Sequence, residues 1–241
     1  RTTLFVHLMR IVSWNCNGAL RKKLPQLLSL NADIYIIQEC ESPEGSIDSS
    51  YKDWANGSLW VGSNKHRGLG VFSCSARLAM LDWNSNGLES FLPFTIDNKI
   101  TALGVWTRHA NSPTFRYIGQ LWKYLQAHKT RVENRRMIIC GDLNSNACWD
   151  VWDRWWNHSD VVRELSSIGL ESVYHHYTGE QQGKESQPTF FIFRKVARPY
   201  HIDYAFASAD LFQSSEISIG RADEWLAFSD HMPLVLDIAC V

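Results

Sequence analysis

Polar side chains follow an apolar run at Gly141-Asp142-Leu143-Asn144, in a pattern that suits a reactive site. The preceding residues 138–140 are typical of a buried strand, and Gly141 permits a sharp backbone turn. Asp142 and Asn144 share one facing at the carboxyl end of that strand, where α/β enzymes place reacting groups. A single motif of this kind is as often a plain turn as a functional site. It indicates a site only if the chain repeats the arrangement.

Four more strand-like runs end at polar groups or contain one. A buried carboxylate is costly unless it is paired or bound to a metal, so such groups are hard to explain as scaffold. The four runs are residues 9–14 followed by Asn15 and Asn17, 34–37 followed by Gln38-Glu39, 201–206 containing Asp203, and 233–238 preceded by Asp230-His231.

These residues form an oxygen-rich set with few imidazoles and no cysteine, which suits Mg²⁺ or Mn²⁺. Glu39 is the best single metal ligand, and we expect Asn15 to ligate directly or through water. Asp142 is placed to accept a proton from an attacking water, and Asn144 can donate to an oxygen on which charge develops. A carboxylate beside His231 would fix its tautomer. The reaction that fits is metal-assisted hydrolysis of a phosphate ester.

Taken in order, the motifs resemble those of the endonuclease/exonuclease/phosphatase family, metal-dependent phosphohydrolases similar to exonuclease III and deoxyribonuclease I. The resemblance spans nearly the whole chain. It implies a four-layer α/β sandwich, two packed mixed β-sheets flanked by helices, with the site at the end where loops of both sheets meet. The matching segments are Trp14-Asn15-Cys16-Asn17-Gly18, Gln38-Glu39, Gly141-Asp142-Leu143-Asn144, Ile202-Asp203-Tyr204 and Ser229-Asp230-His231.

The same resemblance implies a role for each matching residue. Asp203 would hold His231, which would contact or protonate the phosphoryl group, and Asp230 would approach the metal directly or through water. The implied set is catalytic Asp142, Asn144, Asp203 and His231, with Asn15, Glu39 and Asp230 at the metal.

Two positions depart from the family pattern. Asn17 stands where several nucleases of the family have Asp, which weakens an interpretation with a second metal. After the strand that ends at Trp106, relatives often supply His or Tyr to the phosphate. Here Trp106 or His109 would take that place, and the sequence leaves the choice open. Asn17, Trp106 and His109 are therefore candidate substrate contacts.

Two further substrate contacts are candidates. Thr189 begins a Thr-Phe segment similar to one near the family's site, in which Thr189 is either structural or binding and Phe190 or Phe191 touches substrate. Trp225 lies five residues before Asp230, in a loop that we expect at the rim of the site.

Tryptophan is abundant, with 11 residues, and four of these follow the Asn144 motif closely. They indicate either a surface helix packed onto the sheets or an aromatic wall that stacks bases or a sugar ring. The four are Trp149, Trp152, Trp155 and Trp156.

The composition is that of an ordinary globular protein of 241 residues, 45% hydrophobic and 20% charged, with no run long enough for a membrane span. The net charge of −1 argues against tight, non-specific duplex binding, but it leaves nuclease activity open because charge can be local. The six cysteines contain no C-x-x-C pair, and we predict reduced core thiols in a cytoplasmic protein.

No linker or repeat divides the chain. We predict a single domain at residues 9–241, with residues 1–8 as an extension upstream of a native start at Met9. Residues 41–53 are polar and predict a loop. Apolar periodicity predicts helices at 22–30, 115–128 and 160–168, and strands at 32–37, 59–61, 68–73, 76–83, 91–96, 100–106, 137–140, 190–193, 201–206, 215–219 and 233–238.

We therefore predict a divalent-metal-dependent phosphodiesterase, a nuclease acting on DNA with Mg²⁺ or Mn²⁺, without a membrane or an obligate protein partner. One alternative is a phosphomonoesterase or small-molecule phosphodiesterase of the same fold. Another is a non-catalytic binding module on this fold. The sequence does not distinguish DNA from RNA, or endonucleolytic from exonucleolytic action.

Overall fold

A computed structural model describes residues 7–109, 113–133 and 135–240. The strands in chain order are β1 (His7–Asn15), β2 (Ile34–Cys40), β3 (Leu59–Asn64), β4 (Arg67–Ser73), β5 (Leu78–Met80), β6 (Phe91–Ile96), β7 (Ile100–Trp106), β8 (Met137–Asp142), β9 (Leu170–Ser172), β10 (Phe190–Phe191), β11 (Pro199–Tyr200), β12 (Asp203–Ser208), β13 (Ser215–Ile219) and β14 (Leu234–Cys240). The helices are α1 (Leu24–Leu28), α2 (Ser49–Trp54), α3 (Ile118–Val132), α4 (His158–Ser167), α5 (Val173–Thr178), α6 (Ala209–Phe212) and α7 (Ala222–Trp225).

Two six-stranded mixed sheets form the centre of the molecule. Their strand orders are β13-β14-β1-β2-β4-β3 and β5-β6-β7-β8-β12-β9. Each sheet contains one parallel pair, β1 with β2 and β7 with β8. The carboxyl ends of these pairs carry Asn15 opposite Gln38, and Trp106 opposite Asp142. Polar groups of both sheets therefore emerge at strand ends that can share one rim of the sandwich.

Three apolar clusters hold the layers together. The first combines buried residues of both sheets, such as Ile36, Leu69, Ile138 and Leu236, and fills the space between them. The second joins the outer face of the β8 sheet to α3 and α4, and the third joins the outer face of the β1 sheet to α1, α2 and α7. Because aliphatic and aromatic area on both faces of each sheet is removed from water, these layers are the main source of stability. The predicted four-layer α/β sandwich is confirmed.

Helix α2 begins at Ser49, inside residues 41–53, where the sequence predicted a loop, so that prediction is wrong for residues 49–53. The Asp48 side chain accepts a hydrogen bond from Tyr51 N at 3.0 Å and caps the helix. Trp54 packs on Phe72, with ring centroids 4.6 Å apart. One cap and one aromatic contact are sufficient here to override a polar, Ser- and Gly-rich composition.

Strand β1 begins at His7, two residues before the predicted start at Met9. His7 and Leu8 pair with Cys240 and Ala239 of β14, so the ladder with the last strand extends through residues assigned to an upstream extension. The first sheet therefore includes these two residues. Residues 1–6 lie outside the described part of the chain.

Five cysteines are free thiols, but only some of these five lie in the core. Cys16, Cys40 and Cys140 are buried, whereas Cys74 and Cys148 are exposed. Burial raises the pKa of the Cys16 thiol to about 12, which keeps it protonated beside the site. Among the described helices, none combines the length and apolarity needed to cross a membrane.

Candidate active site

Three titratable groups meet at the rim where β8 ends and β12 begins. Asp142 and Asp203 are register partners in this antiparallel pair, and His231 follows on the segment leading into β14. His231 Nδ1 lies 3.0 Å from Asp203 Oδ2, and His231 Nε2 lies 3.9 Å from Asp142 Oδ2. All three are buried, with relative exposures of 0% for Asp142, 2% for Asp203 and 5% for His231. The predicted grouping of Asp142, Asp203 and His231 is therefore present in the structure.

Burial and mutual charge set the proton affinities of this trio. Burial raises the pKa of Asp142 above its usual range, against the opposing effect of His231. Burial alone would lower the pKa of His231, but the Asp203 and Asp142 carboxylates outweigh it and raise that pKa. The geometry therefore favours an imidazolium between two carboxylates, with Asp142 able to take up a proton more readily than an exposed Asp.

Asn15 joins this trio to Glu39. Its Nδ2 donates to Asp142 Oδ2 at 2.9 Å and to Glu39 Oε1 at 3.2 Å, which connects β1 of one sheet with β8 of the other. Its Oδ1 accepts the backbone N–H of Asn17 at 3.0 Å. In this arrangement Asn15 Nδ2 bridges the two carboxylates and its Oδ1 faces the Asn17 backbone, while its role at a metal stays a prediction.

Glu39 is aimed into the site by an irregularity in β2. The register of β2 against β4 shifts between Gln38 and Cys40, and Glu39 has a φ of 59°. Such bulges re-aim a side chain out of the regular alternation. Glu39 Oε2 lies 2.7 Å from Nη1 of Arg67, a side chain that is about half exposed. Directly before Gly68, Arg67 is in the sequence either a phosphate contact or part of a polar turn, and its ion pair with Glu39 becomes visible only in the fold.

Asn17 positions Asp230. Asn17 Nδ2 donates to Asp230 Oδ1 at 3.1 Å, and Asn17 has a φ of 51°, a left-handed conformation that Asn tolerates well. Ser229 Oγ donates to Asn15 O at 2.7 Å and accepts the His231 N–H at 3.1 Å, which fixes the segment containing Asp230. Glu39, Asn15, Asn17 and Asp230 are thus linked by consecutive hydrogen bonds along one side of the trio.

Two groupings of these residues are candidates for a metal ion. Asp142, Asp203 and His231 have ligand atoms within 4.8 Å of one another. However, both His231 nitrogens face carboxylates, which favours the imidazolium, and an imidazolium has no lone pair for a metal. The carboxylates of Glu39 and Asp230 beside the Asn15 amide are hard oxygen donors, and Glu39 is neutralised by a half-exposed Arg67 that a cation can replace. We therefore expect a divalent cation at Glu39 and Asp230 rather than within the trio.

Asn144 lies at the edge of the trio. Its backbone N donates to Asp142 Oδ1 at 2.8 Å, and its Nδ2 donates to Asp142 Oδ2 at 2.9 Å and to Thr107 O at 3.0 Å. Thr107 in turn donates its hydroxyl to Leu143 O. Thr107 was missed in the sequence, although it is the first polar residue after β7 and β7 ends at the same rim as β8.

Neither Trp106 nor His109 is placed as a clear phosphate ligand. Trp106 is only 6% exposed, and the Arg108 guanidinium lies 4.8 Å over its ring. His109 is exposed and lies 3.1 Å from Arg116 Nη1. Arg108 also pairs with Glu89 and is near enough to Glu39 for that charge to act on it. Arg108 is therefore the more suitable cation next to this strand end.

Thr189 and Trp225, two candidate substrate contacts, are interior residues, which supports the structural alternative for Thr189 and corrects the expectation for Trp225. Thr189 is 0% exposed, and its Oγ1 accepts the N–H groups of Ile202 and Asp203 at 2.9 and 3.0 Å, so it positions Asp203. Trp225 is 2% exposed because its ring packs edge-on against Trp14, with centroids 5.1 Å apart. Trp225 thus lies beneath the site rather than at its rim.

Phe190 is the aromatic residue next to the trio. Its ring centroid lies 4.6 Å from that of His231, and the two residues form a backbone bridge. Phe190 is half-buried, whereas Phe191 is buried at 4% exposure. Of the two phenylalanines left open by the sequence, Phe190 is the one placed to touch a substrate.

Comparisons with known proteins identify the family and the fold of the chain. The model of the Endonuclease/Exonuclease/phosphatase family matches residues 12–231. No curated protein sequence matches the chain. A 3′-5′ exonuclease from Neisseria meningitidis has a similar structure, with a TM-score of 0.71 and 19% identity, covering 96% of this chain and 100% of that chain.

Two further solved structures are similar at comparable identity. A Neisseria 3′ phosphatase bound to a product DNA hairpin gives a TM-score of 0.69 at 18% identity, covering 95% of this chain and 99% of that chain. An AP endonuclease from Archaeoglobus fulgidus gives a TM-score of 0.69 at 20% identity, covering 96% of this chain and 100% of that chain. At such identities the likeness establishes a shared fold.

Proposed function

Because the chain belongs to the Endonuclease/Exonuclease/phosphatase family, we propose that it is a divalent-metal-dependent phosphodiesterase that cleaves DNA. One observation carries the proposal: a buried Asp203–His231–Asp142 trio is tied through Asn15 to Glu39. Burying three charged groups within contact of one another is costly, and such a group is typical of acid–base chemistry on a charged substrate.

The residues of the trio have complementary roles in this proposal. Asp142 accepts a proton from the attacking water, because its raised pKa makes it a stronger base than an exposed Asp. His231, held by Asp203, places a positive charge beside the phosphate oxygens and can return a proton to the leaving oxygen. Asn144 Nδ2 donates to Asp142 Oδ2 and Thr107 O here, and it would be a further donor to a phosphate oxygen that replaces one of these acceptors.

The proposal includes Mg²⁺, with Mn²⁺ as the alternative ion. Glu39 and Asp230 would hold it, with Asn15 beside them, because hard cations prefer carboxylate and amide oxygens. Such an ion neutralises charge on a phosphate oxygen during in-line displacement. Arg67 would have to release Glu39 as the ion binds.

DNA is the proposed substrate class. The similar structures include an exonuclease, a 3′ phosphatase bound to DNA and an AP endonuclease. The phosphatase favours a second candidate activity, removal of a 3′-phosphate from DNA, which needs the same metal and acid–base groups.

A cleavage panel tests the proposal. End-labelled single-stranded, duplex, abasic and 3′-phosphorylated DNA, RNA and a small phosphate diester would each be incubated with Mg²⁺, Mn²⁺ or EDTA. We expect EDTA-sensitive cleavage of DNA internucleotide bonds. Release of inorganic phosphate alone would select the phosphomonoesterase, turnover of the small diester alone would remove DNA as substrate, and no reaction with any of them would contradict the proposal.

A further inference from the structure

An exposed aromatic surface lies on the loop between β8 and α4, residues 147–157. Trp152 is 97% exposed, Trp155 65% and Trp149 43%. Trp156 alone packs inward, with its ring 4.6 Å from Phe115. The sequence left open whether the four tryptophans pack as a surface helix or form an aromatic wall. Three of them present large apolar rings to solvent, which exposed surfaces rarely do without a binding role.

Hydrogen bonds hold the backbone that carries these rings in place. Asn157 Oδ1 accepts the Val151 N–H at 3.0 Å and Arg154 Nε–H at 2.9 Å, while its Nδ2 donates to the carbonyls of both residues. Asp150 accepts the N–H groups of His158 and Ser159 and ties the loop to α4. A preorganised surface loses less conformational entropy on binding than a floppy one.

A series of aromatic residues leads from this loop towards the candidate active site. Trp149 lies 4.9 Å from Tyr200, centroid to centroid. Tyr200 of β11 is the register partner of Phe190 of β10, and the Phe190 ring lies 4.6 Å from that of His231. Cross-strand partners place their side chains next to each other on one face. Aromatic rings therefore lead from the catalytic histidine out to the tryptophan loop.

Positive charge accompanies the rings. The turn between β10 and β11 carries Arg194, Lys195 and Arg198, all exposed, and residues 190–202 contain no Asp or Glu. Aromatic rings next to cations are the combination that binds single-stranded nucleic acid, by stacking bases and screening phosphates. The net charge of −1 leaves the rest of the surface without the excess positive charge of a general duplex binder.

We propose that Trp149 and Trp152 form a stacking track for unpaired nucleotides of the substrate, which leads away from the phosphate being cleaved. The track rests on the proposed function, because it extends the site in which a DNA phosphodiester would be hydrolysed. Its occupant is a single-stranded segment of that DNA, bound through its bases on the rings and its phosphates at the β10–β11 turn.

Binding to bases and binding to phosphates are separated by comparing two strands of equal length. The inactive Asp142→Asn protein would be titrated into labelled oligothymidylate and into an abasic strand with the same phosphates. We expect Trp152→Ala and Trp149→Ala, each added to this background, to weaken oligothymidylate binding by roughly 5- to 100-fold. Binding of the abasic strand should change by less than about twofold.

Two variants control the comparison. Trp152→Phe keeps a stacking ring and should retain most of the preference for bases. Tyr177→Ala removes an exposed aromatic residue of α5, which is outside the track, and should leave both affinities unchanged. Equal losses for the two strands, or no loss with either tryptophan variant, would overturn the track. A dimer in sedimentation that Trp152→Ala dissociates, without base-dependent binding, would assign the surface to a second copy instead.

Failure of the track and failure of the proposed function give different results. Base-dependent binding without DNA hydrolysis by the wild-type protein would support the track and refute the hydrolysis. DNA hydrolysis together with equal effects of the tryptophan variants on oligothymidylate and abasic-strand binding would support the proposed function and refute the track.

Discussion

Glu39 illustrates how a single residue combines backbone irregularity with chemistry. A bulge turns its carboxylate out of the regular alternation, towards Asn15 on one side and Arg67 on the other. Its contribution to the site is a largely buried negative charge whose present partner is a half-exposed cation. A divalent ion would compete effectively with the Arg67 guanidinium for Glu39, because the ion carries two positive charges and the guanidinium carries one.

Replacement of Glu39 should therefore lower the affinity of the protein for the metal ion. We expect Glu39→Gln to weaken Mg²⁺ or Mn²⁺ binding by about tenfold or more, measured by titration calorimetry without substrate. Glu44→Gln, at an exposed position on the following loop, is the matched control and should bind the ion normally. Unchanged affinity in Glu39→Gln would remove this residue from the metal site.

Arg67 provides the opposite test at the same position. Arg67→Ala removes the guanidinium 2.7 Å from Glu39, so an incoming ion no longer has to displace a cation. We expect tighter metal binding than in the wild type by calorimetry at low salt, where surface charges are least screened. Weaker binding would show that Arg67 supports the ion rather than competing with it.

At the scale of elements, the rim of the sandwich is built by strand ends and the connections that support them. Thr189 precedes β10, yet its hydroxyl oxygen accepts two N–H groups at the start of β12, where Asp203 begins the strand. Burial makes those two N–H groups expensive to leave unpaired. The orientation of Asp203, and through it of His231, thus depends on a side chain that no substrate reaches.

Thr189→Val keeps the shape of the side chain and removes that acceptor. We expect a loss of about 1–3 kcal/mol in the free energy of unfolding, measured in urea, together with a fall in kcat that exceeds any change in KM. Thr189→Ser retains the hydroxyl and should recover kcat. Failure of Ser to recover it would mean that shape, and not the hydrogen bonds, is what Asp203 requires.

The sequence predicted the strands that carry the site better than the connections between them. Asp142 and Asp203 were found because period-2 alternation places polar groups at the ends of apolar runs. Trp225 was misjudged because closeness in sequence to Asp230 does not reveal which way a short helix faces, and α7 turns this ring onto Trp14. Thr107 was missed, and the ion pair of Arg67 was not anticipated, because both depend on partners distant in sequence, Asn144 and Glu39, that only the folded sheets bring near.

At the scale of the whole molecule, a buried group of histidines ties α4 to the second sheet. His158 is 1% exposed, lies 3.1 Å from Gln182 Oε1 and contacts the Tyr204 ring of β12. Burial lowers the pKa of His158 to about 4, from a usual value of 6.5. The unfolded chain therefore binds this proton at higher pH than the folded chain does. The stabilising contribution is complete above about pH 6.5 and is lost as the pH falls towards 4.

Protonation of His158 should make the protein less stable at acidic pH. We expect wild-type stability in urea to decline between pH 6.5 and pH 4, with about 3 kcal/mol of the decline due to His158. His158→Gln should be less stable at neutral pH but should show a correspondingly smaller decline. His66→Gln, at an exposed position, should follow the wild type. If the stability of His158→Gln fell with pH as steeply as that of the wild type, His158 would not be a source of the acid destabilisation.

The two sheets together bring Asn15 and Glu39 of one against Asp142 and Asp203 of the other, so the proposed chemistry exists only in the assembled sandwich. The most direct test is the single-turnover rate on end-labelled DNA, with Mg²⁺ or EDTA, for the wild type, Asp142→Asn and the surface control Asp53→Asn. We predict EDTA-sensitive cleavage by the wild type and the control. The rate of Asp142→Asn should be reduced by about 100-fold or more, while its circular dichroism spectrum is unchanged. Cleavage by Asp142→Asn within about threefold of the wild-type rate, or cleavage that persists in EDTA, would contradict the account.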